Sequence, residues 1–262
     1  MVQPADALLH RAAVGHFLNQ DGANTRTSFA FLNPSFAPAG TTAMLAAKDL
    51  ATFALAHVND GVGINGHRLL SAASARRMRQ QTAAWRGIGG AGFGLGWMTI
   101  DKSVVVHDGG GPGIASWIYV DAAAKTVAAV LTNAAHGGAV VGDITAPLYQ
   151  AAGAKPFQAD APELIQRATE TRVNSAPYIG EYENVTLVLR VIPYGDGIAL
   201  RVRPKMRLYE TDTLDESPPD PLRLIGDGHF WSGQRFVTFL NPSADGRIQH
   251  VASRLRLHKR TA

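Results

Sequence analysis

Apolar positions along this chain follow two rhythms. In residues 41–59, Met44, Ala47, Leu50, Ala51, Ala54, Leu55 and Val58 recur at three- and four-residue spacing. That spacing predicts a helix, capped by Thr41 or Thr42 and ended by Asp60-Gly61. Leu69-Leu70-Ser71 opens a second helix, with Ser71 as its cap and Met78 on the inner face. The rhythm then changes. Residues 92–100, 103–106, 114–120 and 126–132 are apolar and β-prone, and read as strands around a Gly-rich turn at residues 107–113. A further helix is expected from about Val140 to Ala152, where Pro147 must sit in the first turn or kink it. Upstream, residues 11–16 read as a short strand, Asn19-Gln20-Asp21-Gly22 as a turn, and the apolar run 29–36 is broken by Asn33-Pro34.

From Tyr178 onward the apolar runs become short and alternating. Residues 178–183, 186–192, 198–203, 206–209, 222–225, Phe230, 235–240 and 248–257 read as strands. Gly195-Asp196-Gly197, Ser217-Pro218-Pro219-Asp220, Asp227-Gly228 and Asp245-Gly246 are the turns between them. This pattern suits a small antiparallel barrel or sandwich of about 80–100 residues. Pro156 and Pro162 mark a linker before it, followed by a short helix at residues 163–171. The expected organisation is a first domain over residues 1–154, a linker and short helix over 155–177, and a β-barrel over 178–262. The fold class is α+β: a partial antiparallel sheet with flanking helices, then a small antiparallel barrel.

Composition narrows the function. The chain has 262 residues, 46% of them hydrophobic and 18% charged, which suits a globular protein. Its net charge of +4 is interspersed. No Lys/Arg run is dense enough to suggest nucleic acid or a membrane surface, and the densest patch, Arg76-Arg77 with Arg79, reads as the solvated face of a helix. Cysteine is absent, so disulfides and thiol catalysis are excluded. No run approaches the ~20 apolar residues of a membrane span. Residues 1–11 lack the basic stretch and apolar core of a signal peptide, and the cellular compartment is left open. The nine histidines form no His-Glu-x-x-His and no close set with carboxylates, so neither a metal nor another cofactor is expected.

The candidate chemistry lies at His107-Asp108-Gly109-Gly110-Gly111-Pro112-Gly113. A β-branched run delivers a histidine to a strand end, and four glycines follow in the next six residues. Glycine costs order, so such a cluster implies positive φ or close approach of backbone to something else. An edge strand here would offer unpaired N–H and C=O groups along which a substrate amide or ester can dock, with an N–H aimed at a developing oxyanion. Gly109 would let an acyl group approach, and His107 would act as donor or proton-transfer partner. His107 and Gly109 are the candidate catalytic residues. Asp108, Gly110 and Gly111 are the candidate substrate contacts.

These residues also carry a resemblance. Phe93-Gly94-Leu95-Gly96-Trp97, His107-x-Gly109-Gly110-x-Pro112-Gly113, Ser116-Trp117, Val120-Asp121 and Val130-Leu131-Thr132-Asn133 resemble the serine β-lactamase and penicillin-binding-protein-like hydrolases. The nearest branch is that of class C β-lactamases, esterases and D-aminopeptidases. Asp49-Leu50-Ala51-x-Phe53, the Leu69-Leu70-Ser71 helix and the Pro38-Ala39-Gly40 turn are similar to pieces of that family. Gly180-Glu181-Tyr182 resembles, more loosely, the opening of a lipocalin-like C-terminal domain found in many members.

The resemblance implies three motifs in order: Ser-x-x-Lys, Tyr-x-Asn, then Lys-Thr-Gly or His-x-Gly. Only the third is met, at His107-Asp108-Gly109. No Ser is followed three residues later by Lys, and no Gly-x-Ser-x-Gly is present. Tyr182-Glu183-Asn184 has the second motif's letters but follows the third, and reads as barrel strand. Ser103 and Ser116 are the serines nearest His107 in sequence, without a supporting Lys or Tyr. The layout resembles the C-terminal portion of a longer serine hydrolase, inactive alone because an unactivated hydroxyl is too weak a nucleophile. An exposed sheet edge and apolar face are then expected, and with them either a homodimer through that face or a rearranged sheet. Three functions stay open: acyl transfer from a small-molecule or peptide-like ester, amide or β-lactam; a non-catalytic remnant that binds ligands along the edge strand; and a barrel that binds a small apolar ligand or a partner.

Overall fold

The computed structural model describes residues 9–10, 12–19, 21–27, 43–87, 92–111, 113–156, 161–168, 173–207 and 213–261. The chain divides into two compact units, Met1–Ala84 with Ala91–Pro156, and Trp85–Gly90 with Phe157–Ala262.

In the first unit, β1 (His16–Leu18) and β2 (Asn24–Arg26) form a small hairpin. Its turn is held by Asn19 Oδ1, which accepts from the N–H of Asp21 and of Ala23. The expected strand at residues 11–16 begins only at His16. Helix α1 (Ala47–Val58) starts later than its apolar spacing suggests. Its N-cap is Ala46, which has no side-chain acceptor, and Asp49 Oδ2 accepts the Ala46 N–H at 3.2 Å, the returning half of a capping box. Thr41, Thr42, the 29–36 run and the Pro38-Ala39-Gly40 turn lie outside the described residues. The helix ends through Asn59, and Asp60 and Gly61 follow with left-handed φ of 50° and 87°. Helix α2 (Ala72–Arg79) is capped by Ser71, whose Oγ accepts the N–H of Ser74. Its arginines are not simply a solvated face. Arg76 pairs with Asp60 at 2.7 Å, and Arg79 reaches both Asp60 and the carbonyl of His57. They clamp the turn that ends α1.

Six strands follow in simple order, all antiparallel: β3 (Ala83–Ala84), β4 (Gly92–Phe93), β5 (Met98–Thr99), β6 (Val104–Gly111), β7 (Ile114–Asp121) and β8 (Thr126–Thr132). The stretch 92–100 is therefore a hairpin and not one strand. Gly94 N–H donates to the carbonyl of Trp97, and Gly96 takes a φ of 82°. At Gly94 a Cβ would stand 2.2 Å from the carbonyl oxygen of Met78, so α2 fits there only against glycine.

Helix α3 (Gly138–Ala152) carries Pro147 in its interior and ends at Gly153, in the left-handed conformation at φ 64°. The sheet has a helix on each face. Val105, Ile118 and Val120 pack with Trp97 against Ala54 of α1, with Leu50, Val58 and Met78 at the margin. On the other face Tyr119 meets Tyr149 of α3 edge-on at 5.4 Å and donates to the carbonyl of Leu148. Val104–Val106, buried on both faces, is the β-branched run that a covered central strand requires.

In the second unit α4 (Ala161–Arg167) takes Pro162 into its first turn, where a missing N–H costs nothing. Then β9 (Gly180–Glu183), β10 (Leu187–Tyr194), β11 (Gly197–Pro204), β12 (Asp220–Gly226), β13 (His229–Trp231), β14 (Phe236–Pro242), β15 (Ile248–Ser253) and β16 (Arg256–Arg260) form a closed barrel. Each strand pairs with its sequence neighbour, and β16 returns to β9 through Lys259↔Glu183 and Arg260↔Tyr182. Two strand expectations are corrected. Met206 and Arg207 lie past the end of β11, and 208–209 are outside the described residues. Residues 248–257 are a hairpin, turned by Arg254 and Leu255 at φ 47° and 58°. Inside, Phe239 meets Tyr178, Tyr182 and Phe230 edge-on at 4.7, 6.2 and 5.3 Å, and the Arg260 guanidinium lies 4.9 Å over the Tyr182 ring.

Candidate functional site

The candidate residues lie on a strand, not in a turn. β6 continues through His107-Asp108-Gly109-Gly110-Gly111, opposite Ile118, Trp117, Ser116, Ala115 and Ile114 of β7. Gly111 already pairs with Ile114, so only two residues separate the strands, of which Gly113 has φ 68°. Glycines read as turn-formers serve here as a strand without side chains. Alternation sets the faces. His107, Gly109 and Gly111 share the side of Val105, which is the α1 side. Asp108 and Gly110 share the other. The five predicted residues are thus contiguous, but only His107, Gly109 and Gly111 look the same way.

Pairing makes this segment chemically distinct. β5 reaches β6 only through Met98↔Val106 and Thr99↔Val105. Beyond Val106, among the described residues, β6 has β7 as its sole strand partner. Among the described residues no strand pairs the other edge of residues 107–111, as a docking strand requires. His107 is exposed, and its Nδ1 stands 2.6 Å from the carbonyl oxygen of Asp108. Gly109 is needed for a local reason as well. A Cβ there would stand 2.5 Å from Ser116 Oγ.

The two nearby serines are separated by the fold. Ser103 lies at the far end of β6, where its N–H donates to Asp101 Oδ1 at 2.8 Å. Ser116 lies directly opposite Gly109, on the His107 side. No described Lys or Tyr side chain hydrogen-bonds it. Tyr182-Glu183-Asn184 belongs to the barrel unit. The Tyr182 hydroxyl donates to the carbonyl of Tyr178, and burial pushes its pKa up to about 12. Asn184 Oδ1 accepts from Thr186 and Leu187 N–H and shapes the turn after β9.

One contributor had not been foreseen. Gly15 and His16 buckle the tip of the β6–β7 hairpin. His16 N–H donates to the carbonyl of Gly113 at 2.9 Å, and its own carbonyl accepts from Ala135 N–H at 2.9 Å. Its ring Nδ1 stands 3.1 Å from the carbonyl of Asn133, and Asn133 Nδ2 donates to the carbonyl of Val14. A Cβ on Gly113 would stand 2.3 Å from His16 N. The sequence signal was slight: Val-Gly-His read only as a short strand, and Asn133 only as the close of a β-run. His57 is a second unforeseen group. It is buried in α1 between Phe53 and Trp97, each ring 5.1 Å away, and burial, then Arg79, lower its pKa.

Comparison with known proteins places this geometry. The Beta-lactamase family model matches residues 3–152. Penicillin-binding protein 4 of Amycolatopsis lactamdurans is 34% identical over 193 residues, 70% of this chain and 49% of that protein. The crystal structure of SurE is similar with a TM-score of 0.61 at 21% identity, over 95% of this chain and 55% of that one. The structure of SurE with D-Leu gives 0.58 at 23% identity, over 82% and 50%. The structural likenesses speak for the fold. The chain spans about half the length of the relatives it matches. With a family model covering more than half of its residues, this chain belongs to the β-lactamase family, among the serine β-lactamase and penicillin-binding-protein-like proteins.

Proposed function

We propose that this chain supplies the His-x-Gly wall of a serine-hydrolase site, and that it does not acylate itself. Family membership supports serine-hydrolase-type chemistry. The observation that carries the finer reading is the edge of β6 at residues 107–111, unpaired by any described strand, with His107 exposed and glycine opposite Ser116. A peptide-like ester, amide or β-lactam would lie along that edge as an added strand, with backbone N–H groups directed at its carbonyl oxygen. His107 would then donate to the substrate or relay a proton. The nucleophile is the missing part. Ser116 lies opposite Gly109 on the His107 side, but no described Lys or Tyr side chain hydrogen-bonds its hydroxyl to make it a nucleophile at neutral pH.

The test is intact mass of the chain after incubation with a fluorophosphonate and, separately, with a penicillin. The expected result is no adduct, together with amide shifts confined to residues 107–111 and 114–118 when penicillin is titrated. A stoichiometric adduct on Ser116 would overturn the inactive part of this reading. Absence of any shift would overturn the docking part.

The open outer edge of β8 supports a second, lesser element. Residues 126–132 carry no charge and pair only with β7 among the described residues. Val140 and Ile144 of α3, one turn apart, are about half exposed. A second copy of the chain would cover both.

A further inference from the structure

The middle of the barrel is filled. Tyr182, Leu189, Phe230 and Val237 are buried there in edge-to-face and aliphatic contact, which disfavours an apolar guest. One mouth is built differently. Asp220 stands two residues before Leu222, Arg235 two before Val237, and Ser253 two after Val251. Alternation gives each the inward side of its core neighbour. The inward positions of the barrel thus turn from apolar to polar at this end.

A cavity of about 220 Å³ opens there, walled by Val202, Pro218, Pro219, Asp220, Gln234 and Arg235. Two buried polar atoms at this mouth, Arg235 Nε and Ser253 Oγ, have no hydrogen-bond partner. Such atoms cost stability unless something meets them. Asp220 and Arg235 face the same cavity, and Asp220 favours the charged guanidinium, yet the two form no ion pair with each other. Among the described residues neither has another ion-pair partner. Burial and the nearby Arg254 work against the charge on Arg235, so its position is costly as it stands. Ser217 is not available, because its Oγ accepts from Val202 N–H and donates to the carbonyl of Pro218.

We propose that this mouth binds a small zwitterion of amino-acid size, its carboxylate on Arg235 and its ammonium on Asp220. A guanidinium offers paired N–H groups that match a carboxylate, and a carboxylate accepts from an ammonium. Opposite charges that share a cavity without closing on each other leave room for a ligand that closes both. The volume lies below the roughly 300–1,000 Å³ of sites for drug-sized ligands, which selects a molecule of few heavy atoms. This inference stands apart from the hydrolase reading, since every residue in it belongs to the barrel unit.

The test uses the full chain, labelled with ¹⁵N, titrated with glycine, then with acetate and with methylammonium, which carry one charge each. Saturable shifts of the Asp220, Gln234 and Arg235 amides are expected with glycine. Acetate and methylammonium should each bind at least roughly tenfold more weakly. Arg235→Gln and Asp220→Asn should each abolish the glycine shifts while the rest of the spectrum stays in place. Should one variant fail to fold, the other decides. Absence of saturable shifts with glycine, or acetate binding as tightly as glycine, would overturn the proposal.

Discussion

In the barrel every strand has a partner on both sides, whereas the six-stranded sheet leaves residues 107–111 and the outer side of β8 without one among the described residues. The two units solve the same problem, the pairing of backbone N–H and C=O groups, to different degrees. Closure gives the barrel stability that depends on its interior packing. The open stretches of the sheet leave hydrogen-bonding capacity for something else, and one of them is the segment rich in glycine and ending a buried valine run. The lesson is that candidate chemistry in the sheet unit lies in the backbone edge, while in the barrel it lies in side chains at a mouth.

The comparison can be broken most forcefully from inside the barrel. Phe230→Ala should destabilise that unit by about 3–5 kcal/mol, because a fully buried ring at the centre of the aromatic cluster leaves a cavity. Denaturant unfolding followed at Trp231 would read it, and the sheet unit's hydrogen-exchange protection should be unchanged. A smaller effect is expected in the sheet. Gly113→Ala forces a side chain into left-handed φ and against His16 N, at a cost of about 1–3 kcal/mol. Amide exchange at His16 and Ala135 should accelerate, while the barrel stays protected.

Acid sharpens the contrast further. Burial lowers the pKa of His57 in the sheet unit and of His229 and His258 in the barrel. Each is neutral when folded, and the unfolded chain binds protons that the folded chain does not. Their contribution is therefore complete above about pH 6.5 and is lost as pH falls below it, through their lower folded-state values. Thermal unfolding from pH 8 to pH 5 should show both units weakening, and His57→Leu should flatten the profile of the sheet unit alone. The smallest effect on stability is expected at β8. Leu131→Lys, at a partly exposed edge position, should change stability by less than about 0.5 kcal/mol yet abolish self-association seen by light scattering. A chain that is monomeric before the substitution would remove the dimer from the picture.

Much of this was legible in the chain because patterns of burial are written in residue type. The β-branched run 103–106 reads as strand, and Val104–Val106 open β6, while the turns Asp227-Gly228 and Asp245-Gly246 punctuate the barrel as glycine requires. The failures have physical causes. Arg254 and Leu255 turn β15 into β16 in left-handed conformation without a glycine or asparagine to announce it, so two strands read as one. Gly94 and Gly96 were absorbed into an apolar run, although α2 needs the space at Gly94. Within the candidate site, His107 and its glycines stood out by composition. His16 did not, because its part is played by backbone atoms that reach Gly113 and Ala135 across more than ninety residues, and no local spacing encodes that.

The return of β16 to β9 also sets an order of events in time. Lys259 must meet Glu183 and Arg260 must meet Tyr182, partners separated by nearly the whole unit. Such a contact is made late, because the intervening loop has to be ordered first. On a ribosome the cylinder cannot seal until residues 256–260 have been synthesised and released. Up to that moment β9, which carries the core residue Tyr182, offers a bare edge to any neighbouring nascent chain. The element that makes the finished unit self-contained is thus the one that leaves it vulnerable while it is being made.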